Sequence, residues 1–144
     1  MNDVNISNGR GIASFLKDKP GRRETIEDQN MQIEKLSVKN VDIIQVYRSS
    51  NGRKRNLIEN IASILNHKMM TLIIGDLNIC SKSEPEDEVI QFLITNGFRS
   101  LMLEPTQISG RSIDHCYISK NAKVAEIMRY SPYYSDHDAL LVTL

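Results

Sequence analysis

The chain has 144 residues, 40% of them hydrophobic, and balances 18 acidic against 18 basic side chains for a formal net charge of zero. That length and apolar content suit one globular domain with its own core. A chain-wide basic field is excluded as a means of attracting nucleic acid, so any phosphate binding must come from a local patch or a metal.

The apolar run Gly11 to Lys17 predicts a first strand. Pro20-Gly21 marks a turn, and the polar stretch Arg22 to Asp28 reads as a loop. Met31 and Ile33 alternate with Gln32 and Glu34, the period of a half-buried strand over Asn30 to Leu36. Val41 to Tyr47 is denser in apolar residues and reads as a strand covered on both faces. A loop follows, Arg48 to Arg55, turning at Asn51-Gly52. Leu57, Ile58, Ile61, Ile64 and Leu65 recur at helical spacing and predict an amphipathic helix over Asn56 to His67. A buried strand over Thr71 to Ile74 runs into Gly75-Asp76. Pro85, then Glu86, Asp87 and Glu88, predict a helix start with proline in the first turn and acids at the positive end of the dipole. Gly97 stops that helix. Further strands are expected at Phe98–Leu103, Ile113–Ser119, Lys123–Tyr130 and Ala139–Leu144. Two helices, each after a buried strand, with a strand-rich C-terminus predict an α/β domain of layered sheets with helices outside.

The remaining bulk signals narrow the class. No apolar run reaches the roughly 20 residues that span a bilayer. Met1 to Arg10 lacks the apolar centre of a secretory signal. Cys80 and Cys116 form no CxxC pair, which fits buried free thiols in a reducing compartment. His115-Cys116 lacks the second Cys/His pair of a finger-type metal site. The basic run Arg53, Lys54, Arg55 reads as a solvated loop or a phosphate-backbone contact. Five tyrosines and three phenylalanines, without an interleaved basic stripe, do not indicate a stacking platform.

Three polar clusters stand at the ends of apolar strands, where layered α/β folds open a cleft. In Gly75-Asp76-Leu77-Asn78, a carboxylate and an amide two residues apart can point into one pocket, as metal ligand, water orienter or phosphate donor. The same residues also make a good strand-ending turn. In Ser112-Ile113-Asp114-His115, Asp114 can buttress a histidine elsewhere, or simply open a strand in solvent. In Ser135-Asp136-His137-Asp138, a metal ligand stands beside a proton donor, or the segment is a polar hairpin loop.

GDLN, then IDH, then SDH close to the C-terminus is the motif succession of the endonuclease/exonuclease/phosphatase superfamily, which the chain resembles from about Gly9 to Leu144. Val46-Tyr47 looks like that family's strand ending in tyrosine. Pro105-Thr106-Gln107 with Gly110 resembles its approach to the aspartate. The wording of the segments looks most like endonuclease domains of non-LTR retrotransposons and related mobile elements. The resemblance implies a metal-dependent phosphodiester hydrolase, a DNA endonuclease of a mobile element, using Mg²⁺ with Mn²⁺ as a substitute. Its partners would be DNA and the remainder of a longer polyprotein such as a reverse transcriptase, with no membrane. Its location would be intracellular, and nuclear for a mobile-element enzyme.

Residue by residue, the resemblance implies that Asp76 orients or deprotonates the attacking water and that Asn78 positions water or phosphate. Tyr47 would bond a phosphate oxygen. His137 would stabilise the charge developing at phosphorus, with Asp114 holding it oriented and protonated. Asp76, Asn78 and Asp136 would form the metal environment, and Arg48 and Asn51 would contact substrate. Two earlier family motifs find no counterpart: a strand ending in asparagine, and one ending in a Gln-Glu pair whose glutamate is a principal metal ligand. Glu24, Glu27 and Glu34 come too late in the order to replace it. Gly9-Arg10-Gly11 resembles the strand after the glutamate motif, so the opening strands are expected upstream of Met1. The expected architecture is therefore an endonuclease/exonuclease/phosphatase-type sandwich missing its N-terminal strands. Its metal site would be incomplete, one central strand position unpaired, and activity impaired by truncation. A catalytically inert fragment, or a phosphatase acting on small phosphorylated molecules, are the alternative functions.

Overall fold

The computed structural model describes residues 12, 14, 19–101, 109–123 and 126–143. The elements in chain order are β1 (Arg22–Asp28), β2 (Met31–Val38), β3 (Val41–Arg48), α1 (Lys54–Ile64), β4 (Met70–Asp76), α2 (Glu88–Thr95), β5 (Phe98–Ser100), β6 (Asp114–Ser119), β7 (Glu126–Tyr130) and β8 (Ala139–Thr143). Six strands form one sheet in the order β1-β2-β3-β4-β6-β5, and β7 and β8 form a second, two-stranded sheet. Among the described residues only β3 and β4 pair in parallel; the other pairs are antiparallel. That parallel pair needs a crossover, and α1 supplies it.

Side chains alternate across a strand, and the two faces of the large sheet are covered differently. On one face Ile33, Ile44, Val46, Ile73 and Tyr117 pack against Leu57, Ile61 and Ile64 of α1 and Val89, Ile90 and Leu93 of α2. On the other, Leu72, Cys116 and Ile118 pack against Ile127 of β7 and Val142 of β8. The layers are thus helices, large sheet and small sheet. β3 records the asymmetry: Asp42, Ile44, Val46 and Arg48 are buried, whereas Val41, Ile43, Gln45 and Tyr47 are half-buried. Both faces of this strand are covered, as expected, the helix side more completely.

Three further expectations change. Arg22 to Asp28 is a strand and not a loop: it pairs along its full length with β2. Its charged residues belong to a sheet edge, where polar side chains face water and discourage further pairing. Ile26 is the one apolar residue it turns to the core. The second helix begins at Glu88, so Pro85 precedes it, and Asp87 is the cap, accepting from the Val89 N–H at 2.8 Å. Among the described residues the unpaired central position expected is not in the large sheet, where β2, β3, β4 and β6 each have two neighbours; in the small sheet β7 and β8 have one each. Cys80 and Cys116 are both free and buried. The predicted strand at Gly11 to Lys17, apart from Ile12 and Ser14, and the segment Pro105-Thr106-Gln107 lie outside the described residues.

Candidate functional site

Register aligns the first residues of the site. Tyr47 on β3 is paired with Asp76 on β4, and Asp76 with Asp114 on β6. Directly paired residues project to the same side of a sheet. Asp76 follows Ile74 by two residues, and Ile74 belongs to the cluster beneath the small sheet, so this row faces that layer. The loop entering β8 brings His137 over the same row. Its Nδ1–H donates to Asp114 Oδ2 at 2.8 Å. One ligand atom each from Asp76, Asp114 and His137 lie within 4.8 Å of one another. Segments separated by 61 positions in the chain therefore meet, because 137 − 76 = 61.

Each residue of the GDLN loop has a physical reason. Gly75 has φ +144°, and a Cβ there would stand 1.9 Å from the Val46 carbonyl oxygen, so only glycine lets β4 lie this close to β3. The Asp76 carboxylate accepts the Asn78 N–H at 2.8 Å, closing an Asx turn. Leu77 is 1% exposed and anchors the loop in the core. Asn78 has φ 53°, in the left-handed region that asparagine tolerates better than most residues. The turn reading of this motif holds, and the same turn sets the Asp76 carboxylate beside Asp114 and His137.

Arg48 holds that loop from below, which overturns its expected role as a substrate contact. It is 3% exposed. Its guanidinium donates to the carbonyls of Leu77 at 2.6 Å, Asn78 at 3.1 Å and Gly52 at 2.6 Å. A Cβ on Gly52 would lie 2.7 Å from Arg48 Cγ, so glycine here makes room for the arginine. The planar fork ties the loop after β3 to the loop after β4. Sequence spacing carries no signal of this, because a lone arginine after a tyrosine reads as a surface cation. Asn51 stands exposed in the neighbouring loop. Asp136 is also exposed and does not join the three converging ligand atoms. Its expected place as a metal ligand is corrected to that of a charge beside His137.

Electrostatics divides the site into a reluctant acid and a supported base. Burial pushes the Asp76 carboxyl above its usual range, and the charge of Asp114 adds to this; the Asn78 N–H, His137 and Arg48 oppose it. For His137, partial burial disfavours the imidazolium. The bond to Asp114 and the charges of Asp114, Asp76 and Asp136 outweigh that, and its pKa is raised. His115, adjacent to Asp114, does different work. It is 3% exposed, its Nε2–H donates to the Ile79 carbonyl at 2.7 Å, and its ring stacks on Tyr117 at 5.8 Å. Burial lowers its pKa and keeps it neutral.

An open cleft of about 350 Å³ lies over the row, lined by Ile12, Gln45, Tyr47, Ile74 and Asp76 among others. Two of its lining residues, Ile12 and Gln45, join polar contacts with β2. Gln32, paired with Tyr47, accepts the Ile12 N–H at 2.7 Å. Glu34, buried, pairs with Arg23 and accepts from the Ser14 hydroxyl, which in turn accepts from Gln45 at 2.9 Å. A smaller hollow of about 80 Å³ lies at the other end of β4, lined by Asn66, His67, Thr71 and Ser119 among others, with no carboxylate.

Neither a family model nor a curated protein matches the sequence. Solved structures do. CdtB, the biologically active subunit of cytolethal distending toxin, superposes with a TM-score of 0.64 at 12% identity, over 88% of this chain and 58% of that one. The endonuclease domain of TRAS1, a telomere-specific non-LTR retrotransposon, gives 0.63 at 15% identity, over 85% and 67%. An endonuclease/exonuclease/phosphatase family protein from Leptotrichia buccalis gives 0.60 at 14% identity, over 88% and 61%. The chain has the fold of these proteins and spans 58% of the CdtB chain's length.

Proposed function

We propose that this chain, with its endonuclease/exonuclease/phosphatase fold, is the catalytic part of a metal-assisted phosphodiester hydrolase that cuts DNA on behalf of a mobile element. The observation that carries this is the convergence of Asp76, Asp114 and His137 within 4.8 Å, with Asp76 also lining a cleft beside Tyr47. The retrotransposon endonuclease domain among its structural neighbours supports the DNA assignment.

The donors fit a hard dication. Two carboxylates lie close together, and burial and like charge resist the ionisation of Asp76, which a cation would relieve. Oxygen donors favour Mg²⁺, with Mn²⁺ as a substitute. Asp76 would hold the ion, with the Asn78 amide oxygen beside it. When bound, the metal would neutralise phosphate charge and polarise water. His137 serves as a hydrogen-bond donor, because the Asp114 carboxylate on its Nδ1 favours the imidazolium, in which both ring nitrogens carry protons.

The protein's own groups then divide the reaction. Asp76, held above the usual carboxylate range, orients the attacking water and takes its proton. Tyr47, opposite Asp76 in register, donates its phenolic O–H to a non-bridging phosphate oxygen. The His137 imidazolium meets the negative charge that grows as the ester is attacked, and Asp114 keeps it charged and aimed. As a mobile-element endonuclease, the protein would work in the nucleus beside a reverse transcriptase of the same polyprotein.

A nicking assay on supercoiled plasmid with Mg²⁺ tests the reading. Nicking by the wild type and its loss in both Asp76→Ala and His137→Ala are expected. Activity that survives both substitutions sinks the proposed site. Turnover of inositol phosphates without nicking would move the substrate from DNA to small phosphorylated molecules.

A further inference from the structure

Few aromatic residues occur in this chain, yet the fold collects them. Of five large hydrophobic side chains exposed among the described residues, four lie on the β7–β8 hairpin: Tyr130, Tyr133, Tyr134 and Leu141. Tyr133 and Tyr134 are 101% and 79% exposed. Their rings meet edge to face, with centroids 5.3 Å apart and planes at 84°. Rings this open touch each other but bury little area in the folded chain, and such exposure marks a contact surface.

The hairpin that presents them also delivers His137, and it is tied. The Ser131 hydroxyl donates to Asp138 at 2.6 Å, closing the base of the loop. Arg129 pairs with the same carboxylate at 3.2 Å. The Ser135 N–H reaches the Pro132 carbonyl at 3.5 Å, and the His137 N–H donates to the Ser135 hydroxyl at 3.1 Å. Tyr134 stands three residues before His137, so their Cα atoms are at most about 11 Å apart. A base attached to the nucleotide whose phosphate meets His137 falls within that span. Edge-to-face rings leave at least one π-face turned outward, and every base has a face to match it.

Resting on the phosphodiesterase reading above, we infer that Tyr133 and Tyr134 form a stacking site for an unstacked base of a nucleic-acid strand, next to the phosphate held by His137. The pair would thereby select strands with a mobile, unpaired or extruded base over a uniformly stacked duplex. Phenyl and phenol rings stack equally well, so the hydroxyls are dispensable and the rings are not.

The test is a binding measurement in metal-free buffer, where no turnover is needed. Single-stranded thymidine oligomers of about a dozen nucleotides are compared with baseless tetrahydrofuran-phosphate oligomers of the same length. The full chain should bind the base-bearing strand about tenfold more tightly. Tyr133→Ala/Tyr134→Ala should abolish that preference and leave baseless binding unchanged; Tyr133→Phe/Tyr134→Phe should keep it. Equal affinity of the wild type for the two strands, or a preference that survives the double alanine variant, overturns the inference. The two readings fail separately. A chain that prefers bases but never nicks plasmid removes the hydrolase and keeps the stacking site, whereas a nicking enzyme without base preference does the reverse.

Discussion

On the helix side of β3, Ile44 and Val46 are 0% and 2% exposed, and even the charged neighbours are consumed internally. Asp42 meets Lys35 at 3.1 Å and Ser37 at 2.7 Å, and Arg48 spends its donors on loop carbonyls. On the opposite side of the same sheet, Tyr47, Asp76 and Asp114 stand half-buried in a row, and like charges share the space with one histidine. One face is buried against the helices. The other holds Asp76, whose ionised form burial disfavours. The difference teaches where this fold keeps its stability and where it gives some up for chemistry.

The strongest break in that contrast would come from Asp76→Asn. Plasmid nicking should fall about 10²- to 10⁴-fold, the range for losing a positioned acid–base group. The melting temperature should hold or rise, because the substitution removes a carboxylate that burial disfavours. A melting temperature lowered as far as that of a core variant would erase the distinction between the faces. Ile61→Ala is the matching probe on the helix side. Removing this fully buried side chain should cost about 2–5 kcal/mol in a denaturant titration, with near-normal nicking per folded molecule.

Arg48 sharpens the comparison because it lies on the helix side of β3 and serves the other. Arg48→Met leaves three loop carbonyls without their donor, those of Leu77 and Gly52 in buried bonds, and should cost about 1–3 kcal/mol. Nicking should fall as well, since the Asp76–Asn78 loop loses its anchor. A stability loss without any change in rate would show that the loop keeps its shape unaided.

The smallest effect is in pH. The folded pKa of His137 is raised. Its bond to Asp114 therefore stabilises the fold fully below the unfolded imidazole value and ceases to do so as pH rises through the folded one. Nicking should follow with an alkaline limb at that raised pKa. Asp114→Asn should pull the alkaline limb to lower pH. An unchanged alkaline limb in a pH–rate profile would mean that another group sets it.

Much of this was legible in the residues. The helical spacing of Leu57, Ile61 and Ile64 placed α1, and the alternation at Met31 to Glu34 placed β2, although Met31 to Leu36 are all buried and the strand is not half-buried there. GDLN, IDH and SDH marked three strand ends by local chemistry. Arg22 to Asp28 misled because edge strands carry polar residues on purpose, so their composition mimics a loop. Arg48 misled because a buried arginine differs from an exposed one only in its surroundings. The tyrosines misled because a count says nothing about where rings gather.

Periodicity, turn chemistry and motif order are local properties, written along the chain within a few residues, and the sequence alone determined them: the element types, the layered α/β class and the resemblance that named the acids. Which acids meet was decided by register, since a one-residue slip of β6 against β4 would turn Asp114 to the helix side. The pairing of His137 with Asp114, the raised pKa of Asp76, the anchoring by Arg48 and the gathering of tyrosines all depend on distances across the fold. Charges and hydrogen bonds act through space and not along the chain, and only the tertiary structure sets those distances.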